Sequence, residues 1–332
     1  MSEESSQAGR VETIPVVDVS RYMAGEPGGL DAAAEDIRSA FETVGFMVLT
    51  GHGISADLIE STFAEAQRFH ALPFDAKMAL ALNEHNTGYM AIGRYAVWTS
   101  DVNDNDKPDL NEAYFVKRER AADDPEVKPG RRFVGPNQWP DGLPGFREAV
   151  MTYATAMDDL GMRMLAPVAR GLGLADDFFD TAFRKSLYSI RLSHYPPVAA
   201  KENQFGIAPH SDNDFMTFVA QTDVPGLQVR SEAGNWIDVP FIPGSFAVNS
   251  GDILHRWTNG HLKSTPHRAQ PPTDQDRYAI PFFLAPNIDA VIECVPMCTG
   301  PDDPPRWAPF RYEDFLGDWV DANYDPAVQR PT

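Results

Sequence analysis

The chain has 332 residues, of which 43% are hydrophobic and 23% charged, and its formal net charge is −20. That length is enough to bury a sizeable core in one large or two small domains. The acidity excludes a nucleic-acid or anionic-membrane partner, because no basic stripe is present to neutralise phosphates. No apolar run is long enough to cross a bilayer as a helix. The opening MSEESSQAGR has neither a basic n-region nor an apolar h-region, so no secretion signal is expected. The cysteines, Cys294 and Cys298, match neither a disulfide framework nor a CxxC knuckle. Together these features predict a cytoplasmic protein with reduced thiols.

Residues 1–11 read as a flexible leader. IPVVDVS (14–20) is a short β-rich run, and LDAAAEDIRSAFETVG then carries apolar residues at helical spacing until Gly45. FMVLTGHGI predicts a second strand, followed by a helix from Ser55 to about His70. The stretch 85–140, rich in Asn, Asp, Gly and Pro, reads as long loops with a strand near NEAYFVKRE. An amphipathic helix over roughly 143–172 stops at Gly171 and Gly173. From Leu187 the period shortens into many brief apolar runs broken by Pro, Gly and Asn, the pattern of a sandwich or jelly-roll barrel. The expected fold is therefore α+β, mainly β: a double-stranded β-helix (jelly-roll, cupin-like) core with N-terminal helical elements. We expect a wrapping region over 12–180, the core over 181–292 and a C-terminal extension over 293–332.

Within that core, PHSDNDFMTF (209–218) reads as a buried strand carrying two polar residues two apart. Strand side chains alternate faces, so His210 and Asp212 would share one face about 7 Å apart along the strand. Only His267, in KSTPHRA, begins a strand-like run far enough away to come from a different strand. Two histidines and a carboxylate suit non-haem Fe(II), zinc competes for the same donors, and a solvated polar pair is the bland reading. On pattern alone all three stay open.

The motifs HSD (210–212), NSGDILHRWTNGHLKSTPHR (249–268) and RYAIPFF (277–283) resemble the ordered signature of the Fe(II)- and 2-oxoglutarate-dependent dioxygenases of the isopenicillin-N-synthase-like superfamily. The segments at 14–20, 41–54 and 72–77 resemble that family's N-terminal elements, so the likeness spans nearly the whole chain. It implies an oxidoreductase in which His210, Asp212 and His267 ligate Fe(II). Arg277 would bind the distal carboxylate of the co-substrate 2-oxoglutarate, with Tyr195 hydrogen-bonding it. The implied reaction consumes O2 and 2-oxoglutarate, releases succinate and CO2, and hydroxylates, desaturates or demethylates a small organic molecule.

The pattern departs from the family at two places. The serine of its RxS motif is Ala279 here, which removes a donor to the co-substrate; Ser193 or Arg191, on the Tyr195 face, can compensate. Asp214, two residues past Asp212, stands where the family has a small residue, and either meets substrate or pairs with an arginine. Phe283, by alternation with Arg277, should face the barrel, and Tyr89, Arg94 and Trp98 offer further substrate contacts. His52, His194 and His261 read as structural. The alternatives are a 2-oxoglutarate-independent iron oxidase, a non-catalytic iron-binding module and, remotely, a zinc hydrolase.

Overall fold

The structure, a computed structural model, describes residues 13–129 and 131–324. The expected leader over 1–11 lies outside them. The N-terminal half supplies strands β1 (Val16–Asp18), β2 (Phe46–Thr50), β3 (Gly88–Met90) and β4 (Glu112–Lys117). Its helices are α1 (Ser20–Met23), α2 (Gly29–Thr43), α3 (Ala56–His70), α4 (Phe74–Met78) and the long α5 (Phe146–Gly171). After the single turn of α6 (Asp180–Phe183) come β5 (Ser189–Tyr195), β6 (Ile207–His210), β7 (Met216–Gln221), β8 (Leu227–Arg230) and β9 (Trp236–Asp238). Next are β10 (Phe246–Ser250), α7 (Asp252–Trp257), β11 (His267–Ala269) and β12 (Arg277–Leu284). The small pair β13 (Val291–Ile292) and β14 (Phe310–Arg311) leads into α8 (Tyr312–Tyr324).

Two sheets face each other. The larger is eight-stranded in the order β1-β2-β10-β7-β12-β5-β4-β3, and the smaller is four-stranded in the order β6-β11-β8-β9. This is the layered β core expected from the dense short strands. The N-terminal half does more than wrap it, since β1 to β4 are strands of the larger sheet itself.

Helices α2, α3 and α5 cover the outer face of that sheet, where an aromatic cluster forms the centre of the core. Phe69 lies 4.2 Å from Tyr114 and 5.7 Å from Phe146 between ring centroids. Gly161 lets α5 approach β12 closely, because a Cβ there would press on the Leu284 methyls at 3.1 and 3.3 Å. The backbone of β12 is thereby located from behind, and with it the residues it presents on its inner face.

A buried ionic network fixes the neighbouring strands. Glu112 of β4 accepts from Lys77 Nζ at 2.8 Å, from the Tyr89 hydroxyl, and shares a 2.8 Å hydrogen bond with His194 Nδ1 of β5. His194 Nε2 bonds Asp276 at 2.7 Å, while His70 Nδ1 stands 3.4 Å from Glu112 without completing a hydrogen bond. Burial pushes the Glu112 carboxyl up, but the contacts from His194, His70 and Lys77 outweigh it and hold the carboxyl far below the usual carboxylate range. A depressed carboxylate stabilises the fold above its ordinary value of 4.5, and that stability drains away as pH falls below it. Glu112→Ala leaves the Lys77 ammonium buried without its partner and is expected to cost about 3–5 kcal/mol. Urea denaturation at pH 7 and pH 4 checks both points: the deficit of the variant should shrink at the lower pH.

Candidate active site

Between the sheets, β6 and β11 pair antiparallel with His210 directly opposite His267, and the register shifts just beyond this pair. The imidazole centroids are 4.4 Å apart. His210 Nδ1 donates to the Ala208 carbonyl at 2.8 Å and His267 Nδ1 to the Thr265 carbonyl at 3.2 Å. With Nδ1 so occupied, each ring turns Nε2 inward, and both Nε2 atoms lie 3.7 Å from Asp212 Oδ1. That tautomer is the one a metal site needs.

Asp212 does not reach this position by strand alternation. β6 ends at His210, and residues 211–215 form a bend before β7, so PHSDNDFMTF is a strand end, a bend and a second strand. The bend is held by backbone bonds from Asp252 N to the Asp212 carbonyl (2.8 Å) and from Ile253 N to the Asp214 carbonyl (2.9 Å). Gly251 is required here, because a Cβ would collide with the carbonyl and carboxyl oxygens of Asp214. Asp212 Oδ2 accepts from Thr217 Oγ1 at 2.5 Å and Asn249 Nδ2 at 2.8 Å, leaving Oδ1 facing the imidazoles. Burial raises the Asp212 pKa, but His267 and His210 outweigh it, and the net direction is down. Burial, with His267 beside it, lowers His210 to about 4. His210 is therefore a neutral imidazole beside an anionic carboxylate, and with His267 Nε2 turned to the same point the three donors form a metal-ready set.

Two cavities meet at this cluster, sharing Arg191, His210, Asp212 and Phe283 in their walls. One is lined also by Tyr195, His267, Arg277, Ala279 and Leu227. Arg277 is 1% exposed, its Nε and Nη1 have no hydrogen-bond partner, and its guanidinium carbon lies 4.8 Å from the centre of the Tyr195 ring. A buried guanidinium with open donors fits a carboxylate. Ser193 sits directly across from Ala279 in the β5–β12 register, and its buried hydroxyl is likewise unpartnered. The other cavity is lined by Asn86, Val97, Phe115, Lys117, Ser189, Asp214 and the α8 residues Tyr312, Leu316, Trp319 and Val320.

Several expected contacts fall elsewhere. Tyr89 is spent on Glu112, with its side chain on the far side of the sheet; Arg94 is exposed, and neither Arg94 nor Trp98 lines either cavity. Their loop does reach the site, through Val97. Asp214 pairs with no arginine among the described residues; Thr217 Oγ1 donates to it at 3.0 Å, and burial, with Asp212 nearby, pushes its carboxyl well above the usual range. Sequence reading missed Asp109, which bridges Ala208 N (2.9 Å) and Val97 N (3.3 Å), and Asn105, which donates to Val97 O (2.6 Å) and Pro209 O (3.2 Å). Both tie that loop to the strand carrying His210. His194 with His70 and Glu112 is the other metal-capable cluster among the described residues, but its carboxylate is committed to Lys77 and Tyr89. A larger cleft of about 760 Å³, near Phe178, Arg184 and Asn287, includes none of the triad.

A family model for the N-terminal region of a non-haem dioxygenase in morphine synthesis matches residues 14–142, and the 2OG-Fe(II) oxygenase superfamily model matches residues 187–286. A 2-oxoglutarate-Fe(II) type oxidoreductase, hxnY of Emericella nidulans, is 33% identical over 91% of this chain and 88% of its own length. The 2-oxoglutarate-dependent dioxygenase citB of Monascus ruber is 37% identical over 83% of this chain and 85% of its own. A full-length Neurospora crassa protein, solved in complex with alpha-KG, superposes with a TM-score of 0.82 at 29% identity, covering 96% of this chain and 98% of that one.

Removing one hydrogen bond to the carboxylate should loosen the metal without removing a ligand. Asn249→Ala is expected to weaken Fe(II) affinity about 10- to 100-fold, measured by anaerobic metal titration, while Asp212→Ala abolishes stoichiometric binding.

Proposed function

Because the chain belongs to the 2OG-Fe(II) oxygenase superfamily and is a 2-oxoglutarate- and Fe(II)-dependent oxidoreductase, we propose that His210, Asp212 and His267 hold the iron. Arg277, with Tyr195 and Ser193, would receive the distal carboxylate of 2-oxoglutarate. The open donors of the buried Arg277 carry this assignment. Bound Fe(II) and 2-oxoglutarate supply the oxidation of a substrate C–H bond by O2, with succinate and CO2 as by-products.

The chain's own contribution is placement. Thr217 and Asn249 orient Asp212, and the Ala208 and Thr265 carbonyls orient the imidazoles. Arg277 offers a charged anchor that is itself almost wholly buried. Ala279 supplies no hydroxyl, and the unpartnered Ser193 hydroxyl across the strand pair supports a replacement role. The second cavity, walled by Phe115, Phe283, Leu316 and Trp319, supports a small organic substrate with an apolar body that is hydroxylated, desaturated or demethylated. The same N. crassa protein, solved with alpha-KG and thymine, is one example of a small molecule bound to a relative. The net charge of −20 supports such a ligand over nucleic acid or an anionic membrane. No helix among the described residues is long and apolar enough to cross a membrane. The free thiols Cys294 and Cys298 support a reducing, cytoplasmic setting.

The expected activity is O2-dependent conversion of 2-oxoglutarate to succinate, stimulated by substrate. Arg277→Gln should raise the 2-oxoglutarate KM by about 100-fold or more, and Ser193→Ala by about tenfold, the loss of one hydrogen bond to a charged group. Succinate quantification across a 2-oxoglutarate series checks this; an unchanged KM in Ser193→Ala would assign the compensation elsewhere.

A further inference from the structure

Lys117 is a buried lysine without a carboxylate partner. It is 5% exposed and lines the cavity that opens onto the triad. Its backbone is gripped on both sides by Asn137, which accepts from its N–H at 2.8 Å and donates to its carbonyl at 2.8 Å. The strand position is thus set rigidly, and the side chain is held on the cavity face. Among the described residues no carboxylate forms an ion pair with the Lys117 ammonium. What surrounds it is the Phe133 ring, 5.1 Å from Nζ, with the Arg132 guanidinium 4.8 Å from the same ring. The Glu119 carboxylate, two residues on, is directed to Trp139 Nε1 (3.2 Å) and Arg147 (3.6 Å). Burial, with Arg132 nearby, depresses the Lys117 ammonium to about 7.

The register locates this charge relative to the chemistry. Lys117 lies opposite Ser189, and Phe115 opposite Arg191, so Lys117 and Arg191 are diagonal neighbours on one sheet face. Phe283 lies opposite Ser189 on the next strand. Arg191 already makes contacts, stacking over Phe115 at 5.3 Å and, once the Asn111 amide is turned to the orientation that satisfies its neighbours, donating to the Asn111 oxygen, but its Nε is unpartnered. The cavity's carboxylates, Asp212 and Asp214, enter at the β7 side, and β12 and β5 separate β7 from β4. The cavity is therefore polarised: cationic at the β4 wall, apolar along Phe115, Phe283, Leu316 and Trp319, and metal-binding at the far end.

We propose that the substrate is an organic carboxylate whose acid group is held by Lys117, with Arg191 beside it, while its apolar body extends along the aromatic wall toward the triad. The inference rests on the oxygenase reading of the site and adds the substrate class. A buried ammonium without a partner is costly, and an anionic ligand converts that cost into affinity and orientation. One ammonium beside one guanidinium, rather than a cradle of many donors, matches a singly charged group. Fixing the acid end sets which carbon of the body reaches the metal, so Lys117 is a specificity-determining residue.

Anaerobic calorimetry on the full chain loaded with Fe(II) and 2-oxoglutarate tests this. The probes are 3-phenylpropionate, 4-phenylbutanoate and octanoate, each beside its primary amide. At least one acid should bind about tenfold or more tightly than its amide, the value of one charge-assisted hydrogen bond. Lys117→Met should abolish that preference, and Lys117→Arg should restore it, which a merely structural role would not do. Calorimetric 2-oxoglutarate binding to each variant shows that the site has folded. If no acid binds ahead of its amide in the wild type, or if folded Lys117→Met keeps the preference, the proposal is overturned. If 2-oxoglutarate itself fails to bind the Fe(II)-loaded wild type, the oxygenase reading fails instead, and the acid-to-amide comparison on the Fe(II)-loaded chain still decides the role of Lys117.

Discussion

The antiparallel pairing of β6 with β11 sets His210 across from His267, and the rest of the site is arranged around that pair. Each imidazole gives its Nδ1–H to a backbone carbonyl two residues away in its own segment, so the strand geometry also selects the tautomer. The carboxylate arrives from the loop that leaves β6, and two side chains of the opposite sheet, Thr217 and Asn249, orient it. The cluster thus bridges the two sheets. Neither sheet alone positions it.

Charge gives the site its direction. In a protein of net charge −20, arginine and lysine side chains buried without carboxylates stand out. Arg277 lines one cavity with His267 and Lys117 the other, and His210, Asp212 and Arg191 lie at the boundary between them. Leaving cations partly unsatisfied costs stability. The larger sheet meets that cost with the aromatic core behind β12 and β4 and with the Glu112 network, in which Lys77, Tyr89, His194 and His70 converge on or near one carboxylate. Polar groups on the outer face are largely satisfied, whereas those on the inner face keep open valences for ligands.

Much of this was legible in the sequence. Helices α2, α3 and α5 follow apolar spacing and glycine stops, and the short strands after Leu187 announce the β core. The triad and Arg277 were legible through motif spacing. What escaped depends on contacts between distant segments. Alternation in PHSDNDFMTF suggested one strand, yet the bend at 211–215 is imposed by α7, whose formation from GDILHRW follows no strong local signal. Tyr89 looked like a pocket aromatic because its loop is near the site, but β3 pairs with β4 and turns the hydroxyl toward Glu112. Lys117 was invisible as a ligand residue because a lysine ending a strand ordinarily reaches solvent; Asn137, from a loop further along the chain, and the Phe133 ring keep it inside. Asp109 and Asn105 sit in an acidic, Asn-rich stretch indistinguishable by composition from a solvated loop.

The central claim is that one donor set holds Fe(II) and that Arg277 docks 2-oxoglutarate beside it despite Ala279. Titrating the Fe(II)-loaded chain with 2-oxoglutarate in the absence of oxygen, and following visible absorption, tests it most directly. The account predicts a metal-to-ligand charge-transfer band that saturates at one equivalent per chain in the wild type and is lost in Asp212→Ala. Tight iron binding with no band at any 2-oxoglutarate concentration would contradict it.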